Sequence, residues 1–486
     1  MKATRVLSRP MSVSTSRSSR KARLGLIGLA GLGLLLSACD DASDQDGGGN
    51  TATLSGVAFD GPLVQGRIYL DRSEDGAYRR SFDPETRTDS DGVFELEASV
   101  AGADRTVLRV DRARDRFHGE RVPITLSREL ADTGDAAHIS PMTTLFEVMD
   151  GDTRDSFLSN DPPEGMQRWE LESYYLDFEE DALNDRDRLY LIRRGYQLQK
   201  MAEVAAAWLE ERYNYEDVAG QERPPDAGIY VFRAMAENWI STIDDPFEDW
   251  LQEALAAADE KVAEAVGADP EGVDRDNGED QIIKNLALLW KDVIGDEDTG
   301  LFGTHLLDNG AFEDGFEEQD EVAARARALE AVTRVLRAAP DFEDMDKIKG
   351  WVDGLKAGLF RNGEDSDFGP QLSVRCLQEQ LKDDTDDAEA SECSRGDAIF
   401  GDEDEFELSD DDDQSVKLSR KDDGTYEVAV EFDEETSYSG SAKKIDDYNY
   451  AVDTEFGGQR LSGVVSKTSD DEYEFDFEGE TFEWSP

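Results

Sequence analysis

Three sets of side chains in this 486-residue sequence have the types and spacing to do chemistry. Asp71, Ser73 and Asp75 alternate ahead of Gly76, like the front half of an oxygen-ligand loop for Ca²⁺. An EF-type loop closes with a bidentate acid at its twelfth position. Here that position is Phe82, which has no oxygen to give, and Asp83 or Glu85 would serve only in a loop of another shape. Cys376 and Cys393 bracket a 16-residue acidic stretch. In an oxidising compartment this spacing predicts a disulfide, contributing about 3 kcal/mol by loop closure. Two thiols could also hold a metal, but no His lies near them. The third cysteine, Cys39, stands directly behind an apolar run. Calcium is the one cofactor these residues allow for, and none is required.

No catalytic constellation accompanies them. The three histidines, His118, His138 and His305, never pair at helical spacing, which argues against a zinc hydrolase. A nucleophile elbow, a phosphate-binding loop and a dinucleotide fingerprint are all missing. With 113 acidic residues, a glycosidase pair cannot be picked out by counting. No catalytic residue is nominated, and the expected protein is not an enzyme.

The N-terminus supplies the context for Cys39. Residues 1–23 carry seven cations and no acid, and Leu24–Leu36 is almost purely Leu, Gly, Ile and Ala. A positive segment followed by 13 apolar residues is too short to span a bilayer, which takes ~20. With Leu36-Ser37-Ala38-Cys39 behind it, the segment resembles the bacterial lipoprotein signal, whether translation starts at Met1 or Met11. That resemblance implies cleavage before Cys39, acylation of its thiol and a protein anchored to membrane lipid outside the cytosol. Asp40 and Asp41 resemble an inner-membrane retention signal, a rule that is not universal, so inner and outer membrane both stay open.

The formal net charge is −62, with acids spread from residue 71 to residue 483. So acidic and Lys-poor a chain resembles the secreted proteins of halophiles. At molar salt the screening length is ~3 Å, so self-repulsion is damped. The same charge argues against nucleic acid and anionic headgroups as partners.

The expected fold is multidomain α+β. Residues 1–38 form the signal, 39–52 a flexible Asp/Gly tether, 53–128 a β-sandwich, 138–362 an all-helical domain, 363–412 an acidic linker with the Cys pair, and 413–486 an antiparallel β-sheet or small barrel. In the first domain Ile68/Leu70, Phe94/Leu96 and Leu108/Val110 alternate at period two, with turn residues Asp60-Gly61-Pro62, Asp75-Gly76 and Asp91-Gly92 between strands. "SGVAFDGPLVQGRIYLD" and "TDSDGVF" resemble the carboxypeptidase-regulatory-like and Cna B-type domains, a transthyretin-like prealbumin sandwich. Such domains sometimes carry a Lys–Asn isopeptide cross-link, but no Lys lies between Lys21 and Lys200.

Helical signals begin at Ser140, a cap before Pro141 at the first helical position. Pro141-Met142-Thr143-Thr144-Leu145 resembles a piece that follows the β-domain in many bacterial lipoproteins. Apolar stripes continue to about residue 360, one running Leu191, Leu198, Met201, Ala205, Trp208 and Leu209. Trp208, Trp239, Trp250, Trp290 and Trp351 are read as core. The C-terminal alternation, as in Tyr426/Val428/Val430/Phe432, predicts about six strands.

Together these features predict a lipid-anchored envelope protein with a non-catalytic structural or interaction role, bound to polysaccharide or protein. The rival expectations are an envelope polysaccharide hydrolase or its accessory subunit, and a calcium-dependent adhesin.

Overall fold

In the computed structural model most of residues 51–484 are described. Outside the description lie residues 1–50, 73–77, 80–82, 100–105, 131–135, 164–165, 178–182, 214–226, 240–246, 270–278, 296–299, 303–318, 341, 361–373, 375, 379–398, 401–404, 410–414, 422–425, 434–435, 447, 457–458, 470–471, 478–479 and 485–486.

The chain begins with strands β1 (Thr51–Val57), β2 (Leu63–Val64), β3 (Arg67–Asp71), β4 (Glu85–Arg87), β5 (Val93–Ser99), β6 (Thr106–Asp111), β7 (Arg114–Asp115) and β8 (Leu126–Leu130). They form a β1-β5 pair, a β2-β7 pair and a sheet in the order β4-β3-β6-β8. The β1-β5 register sets Leu54 opposite Leu96 and Gly56 opposite Phe94, so period-two alternation buries one face. The turn into β5 depends on Gly92, whose φ is +75° and whose Cβ would meet the Ala58 carbonyl oxygen at 2.5 Å. On β3 and β6 both faces are covered. Tyr69 and Arg109 are therefore buried as fully as Ile68 and Leu108, and the Arg109 Nε donates to Asp71 Oδ2 at 2.7 Å.

Ala58 bridges to Ile139 at the threshold of the helices. These are α1 (Pro141–Val148), α2 (Gly151–Asn160), α3 (Arg168–Leu171), α4 (Asp185–Arg212), α5 (Ala227–Glu237), α6 (Phe247–Val266), α7 (Glu279–Leu288, continuing as a π turn to Gly295), α8 (Gln319–Ala338) and α9 (Met345–Phe360). The expected cap of α1 is present in full. Ser140 Oγ accepts from the Thr143 N–H while Thr143 Oγ1 accepts from the Ser140 N–H. On α4 the predicted stripe is buried, with Trp208 half-buried at its rim. The indoles of Trp239, Trp250 and Trp290 pack on one another and on Phe157 and Phe247 at centroid distances of 5.1–6.3 Å.

One hydrophobic core runs without a break from Leu54 in β1 to Leu377, so strands and helices fold against each other. A second, separate core belongs to the C-terminal sheet. That sheet holds eight strands, not about six: β9 (Glu405–Ser409), β10 (Ser415–Arg420), β11 (Tyr426–Asp433), β12 (Thr436–Asp446), β13 (Asn449–Phe456), β14 (Gln459–Ser469), β15 (Glu472–Phe477) and β16 (Glu480–Trp484). They form an antiparallel meander in chain order, curled but open, with β9 and β16 as its edges. Val416, Val430, Val452, Val465 and Phe475 fill its inner face.

Candidate functional site

Among the described residues only two large hydrophobic side chains are exposed, Val93 and Trp169, and Trp169 is 59% exposed. Its placement follows from local sequence. Gln167 precedes the short α3 and its backbone N–H donates to the Glu170 carboxylate, so the turn forms with Trp169 on the outer side and Leu171 fully buried. The indole stands at a cleft of about 370 Å³ lined by Arg128, Glu129, Gln167, Arg168 and Glu172. Glu172 gathers the cations. Arg168 Nε donates to its Oε1 at 2.7 Å, and an Arg128 guanidinium nitrogen lies 3.3 Å from its Oε2. Arg128 also donates to the carbonyls of His138 and Glu172. The cleft thus carries two cations and two acids in a chain with more than twice as many acids as cations. It is a flat ring beside planar, pinned donors and acceptors.

A second cleft of similar volume shares Glu129 and is lined further by Glu147, Arg154, Arg233 and Glu237. Behind the first cleft His138 is held neutral. Burial, reinforced by the Arg128 charge, lowers its pKa to about 4, and its Nδ1 accepts the Val57 N–H at 3.3 Å.

Deeper, where the strand loops meet α4 and α8, lies an enclosed polar node. Lys200 donates to Glu203 at 3.0 Å and to Glu330 at 2.8 Å, and Arg337 donates to the same two acids at 2.8 and 2.7 Å. All three of Lys200, Glu203 and Glu330 are buried. Burial opposes the charge on Lys200, but Glu203 and Glu330 override it and raise its pKa. Burial likewise opposes the charge on Glu330, where Arg337 and Lys200 prevail and lower it. Asp115 accepts the Gly61 and Phe117 N–H groups at 3.0 and 2.7 Å and faces His118 Nε2 at 3.3 Å. Asp60, beside it, has no hydrogen-bond partner on either oxygen.

The residues singled out by sequence fall elsewhere. Asp71 is committed to Arg109, while Ser73 and Asp75 lie outside the described residues. Among the described residues no group of three or more His, Cys, Asp or Glu could hold a metal ion. The expected Cys376–Cys393 bridge is not seen between two described residues: Cys376 packs half-buried against the main core, and Cys393 lies outside the description. No helix among the described residues is long and apolar enough to cross a membrane, and Cys39, the expected point of lipid attachment, lies outside the description.

Trp169 and the polar node were missed by sequence reasoning. The only signal for Trp169 was an indole in a stretch with no apolar period around it. Comparison with protein families, curated proteins and solved structures yields no match for this chain.

Proposed function

We propose that this is an exported envelope protein, held to membrane lipid through Cys39, that binds polysaccharide at the Trp169 cleft without catalysis. The observation that carries the reading is the exposed indole of Trp169 beside the Arg168–Glu172–Arg128 cluster. Covering an apolar ring that otherwise stands in water contributes about 25 cal/mol for each Å² removed from it. A sugar ring presents an apolar C–H face to stack on an indole and hydroxyls at its rim for planar donors and acceptors. The local charge balance suits an uncharged glycan, which a strongly acidic surface elsewhere would neither attract nor repel. The N-terminal strands are read as the prealbumin-like sandwich that the Asp60-Gly61-Pro62 and Asp91-Gly92 turns resemble. Polysaccharide hydrolysis draws no support, because Asp60, the carboxyl among the described residues that burial holds toward its acid form, lines neither cleft.

The test is native electrophoresis of the full-length protein at high salt through gels containing a soluble neutral polysaccharide such as a β-glucan. Wild type is retarded and Trp169→Ala migrates freely. Equal mobility of the two in neutral and anionic polysaccharides overturns the reading.

A further inference from the structure

Asp60 stands apart from every other charge in the node. Lys200 and Arg337 balance Glu203 and Glu330. Asp115 has two backbone N–H groups and His118. His118 Nδ1 accepts the Glu120 N–H at 3.2 Å, which turns Nε2 toward Asp115. Asp60 is 1% exposed with both oxygens unpartnered, and the hydroxyls of Tyr175 and Tyr196, also buried, have no partner either. Carboxyl and hydroxyl converge at one point. A Cβ on Gly195 would lie 2.4 Å from the Tyr175 hydroxyl oxygen and 3.7 Å from Asp60 Oδ1. Three unsatisfied oxygen groups from three parts of the chain are not what a fold selected for stability alone retains.

We propose that Asp60 is a proton-binding site: the fold carries it as the neutral acid, and its ionisation loosens the segment 168–177 that presents Trp169. As an acid it gains an O–H donor for the hydroxyls that gather there. As a carboxylate it is a buried charge with no hydrogen-bonding partner, which draws in water or moves. Every neighbour bears on this balance. Burial favours the acid most, Lys200 opposes it, and Asp115, Glu203 and Glu330 add to it. Tyr175 and Tyr196 remain neutral, their own ionisation suppressed first by burial and then by acids that include Asp60.

The path to the cleft is short. Phe59, the preceding residue, packs edge-on against Tyr174 and Tyr175 at 4.8 and 4.7 Å. Both tyrosines lie on the segment that carries Trp169 and Glu172. Control of the cleft rests on the polysaccharide reading; the proton site does not.

Infrared spectroscopy of the full-length protein at about pH 8 tests the site, since carboxylates with ordinary pKa values near 4 are then ionised. A protonated-carboxyl C=O band is expected in wild type, shifted in Tyr175→Phe and absent in Asp60→Asn. Absence of that band in wild type, or its survival in Asp60→Asn, overturns the site. So does stabilisation by sodium over choline at equal ionic strength that disappears in Asp60→Asn, which would put a metal ion where the proton is assigned. Hydrogen exchange of residues 168–177, corrected for the intrinsic effect of pH, tests the coupling. It accelerates as pH rises in wild type and stays level in Asp60→Asn; equal behaviour of the two overturns the coupling. Neither measurement uses a glycan, so failure of the cleft reading would be seen separately in the gel assay.

Discussion

Lys200 Nζ lies 2.8 Å from Glu330 Oε2, joining α4 to α8 across 130 residues of sequence in a site closed to solvent. The pair is one side of a rectangle completed by Glu203 and Arg337. Removing one corner strands the charges it faced. Lys200→Met is expected to cost about 3–5 kcal/mol, the range for breaking a buried pair on one side. Denaturant unfolding at high salt measures it, and a loss below 1 kcal/mol would mean the node is open to water.

Asp60 gives stability an unusual pH dependence. Its folded pKa is raised, so its contribution is complete below the unfolded value near 4 and is lost as pH rises through the folded value. Asp60→Asn keeps the shape and removes the titration. The variant is expected to melt higher than wild type at pH 8 and to narrow that gap at pH 5. Scanning calorimetry at the two pH values decides, and a variant less stable at both would show the carboxylate to be ionised and paired.

His138 acts in the opposite sense. Its folded pKa is lowered to about 4 from an ordinary 6.5. The unfolded chain therefore binds the proton first, and stability falls as pH drops from about 6.5 toward 4. His138→Gln is expected to flatten the unfolding free energy across that window. An unchanged slope would place the acid sensitivity elsewhere.

The cap of α1 predicts a small, local effect. Ser140→Ala removes one side of a reciprocal pair of hydrogen bonds. About 1 kcal/mol of unfolding free energy should be lost, against near neutrality for Ser140→Asp, which can still accept the Thr143 N–H. Chemical denaturation of the two variants side by side separates these outcomes.

The C-terminal sheet has its own core, with Phe475 fully buried in it. Phe475→Ala is expected to cost about 3–5 kcal/mol there. Calorimetry should show a lowered transition for the sheet and an unmoved one for the main core. A common shift would make the two cores one cooperative unit.

Local rules made much of this protein legible in the sequence. Ser140 and Pro141 marked the start of α1 because a cap is made by neighbours in the chain. The alternations at Ile68/Leu70 and Phe94/Leu96, and the α4 stripe from Leu191 to Leu209, gave class and core because burial repeats with the period of the backbone. Strand count in the C-terminal sheet was underestimated, since short acidic strands such as Glu405–Ser409 lack an apolar pattern long enough to stand out.

Only the tertiary structure decided which of 113 acids matter. Composition treats Asp60, Glu203 and Glu330 as it treats any solvated carboxylate. Folding brings them to one dry site against Lys200 and Arg337, where low dielectric makes each missing partner count. The same holds for Trp169: its neighbours in sequence say nothing of exposure. It is left facing water because α3 turns Leu171 inward and because Arg128, from a distant strand, meets Glu172 beside it.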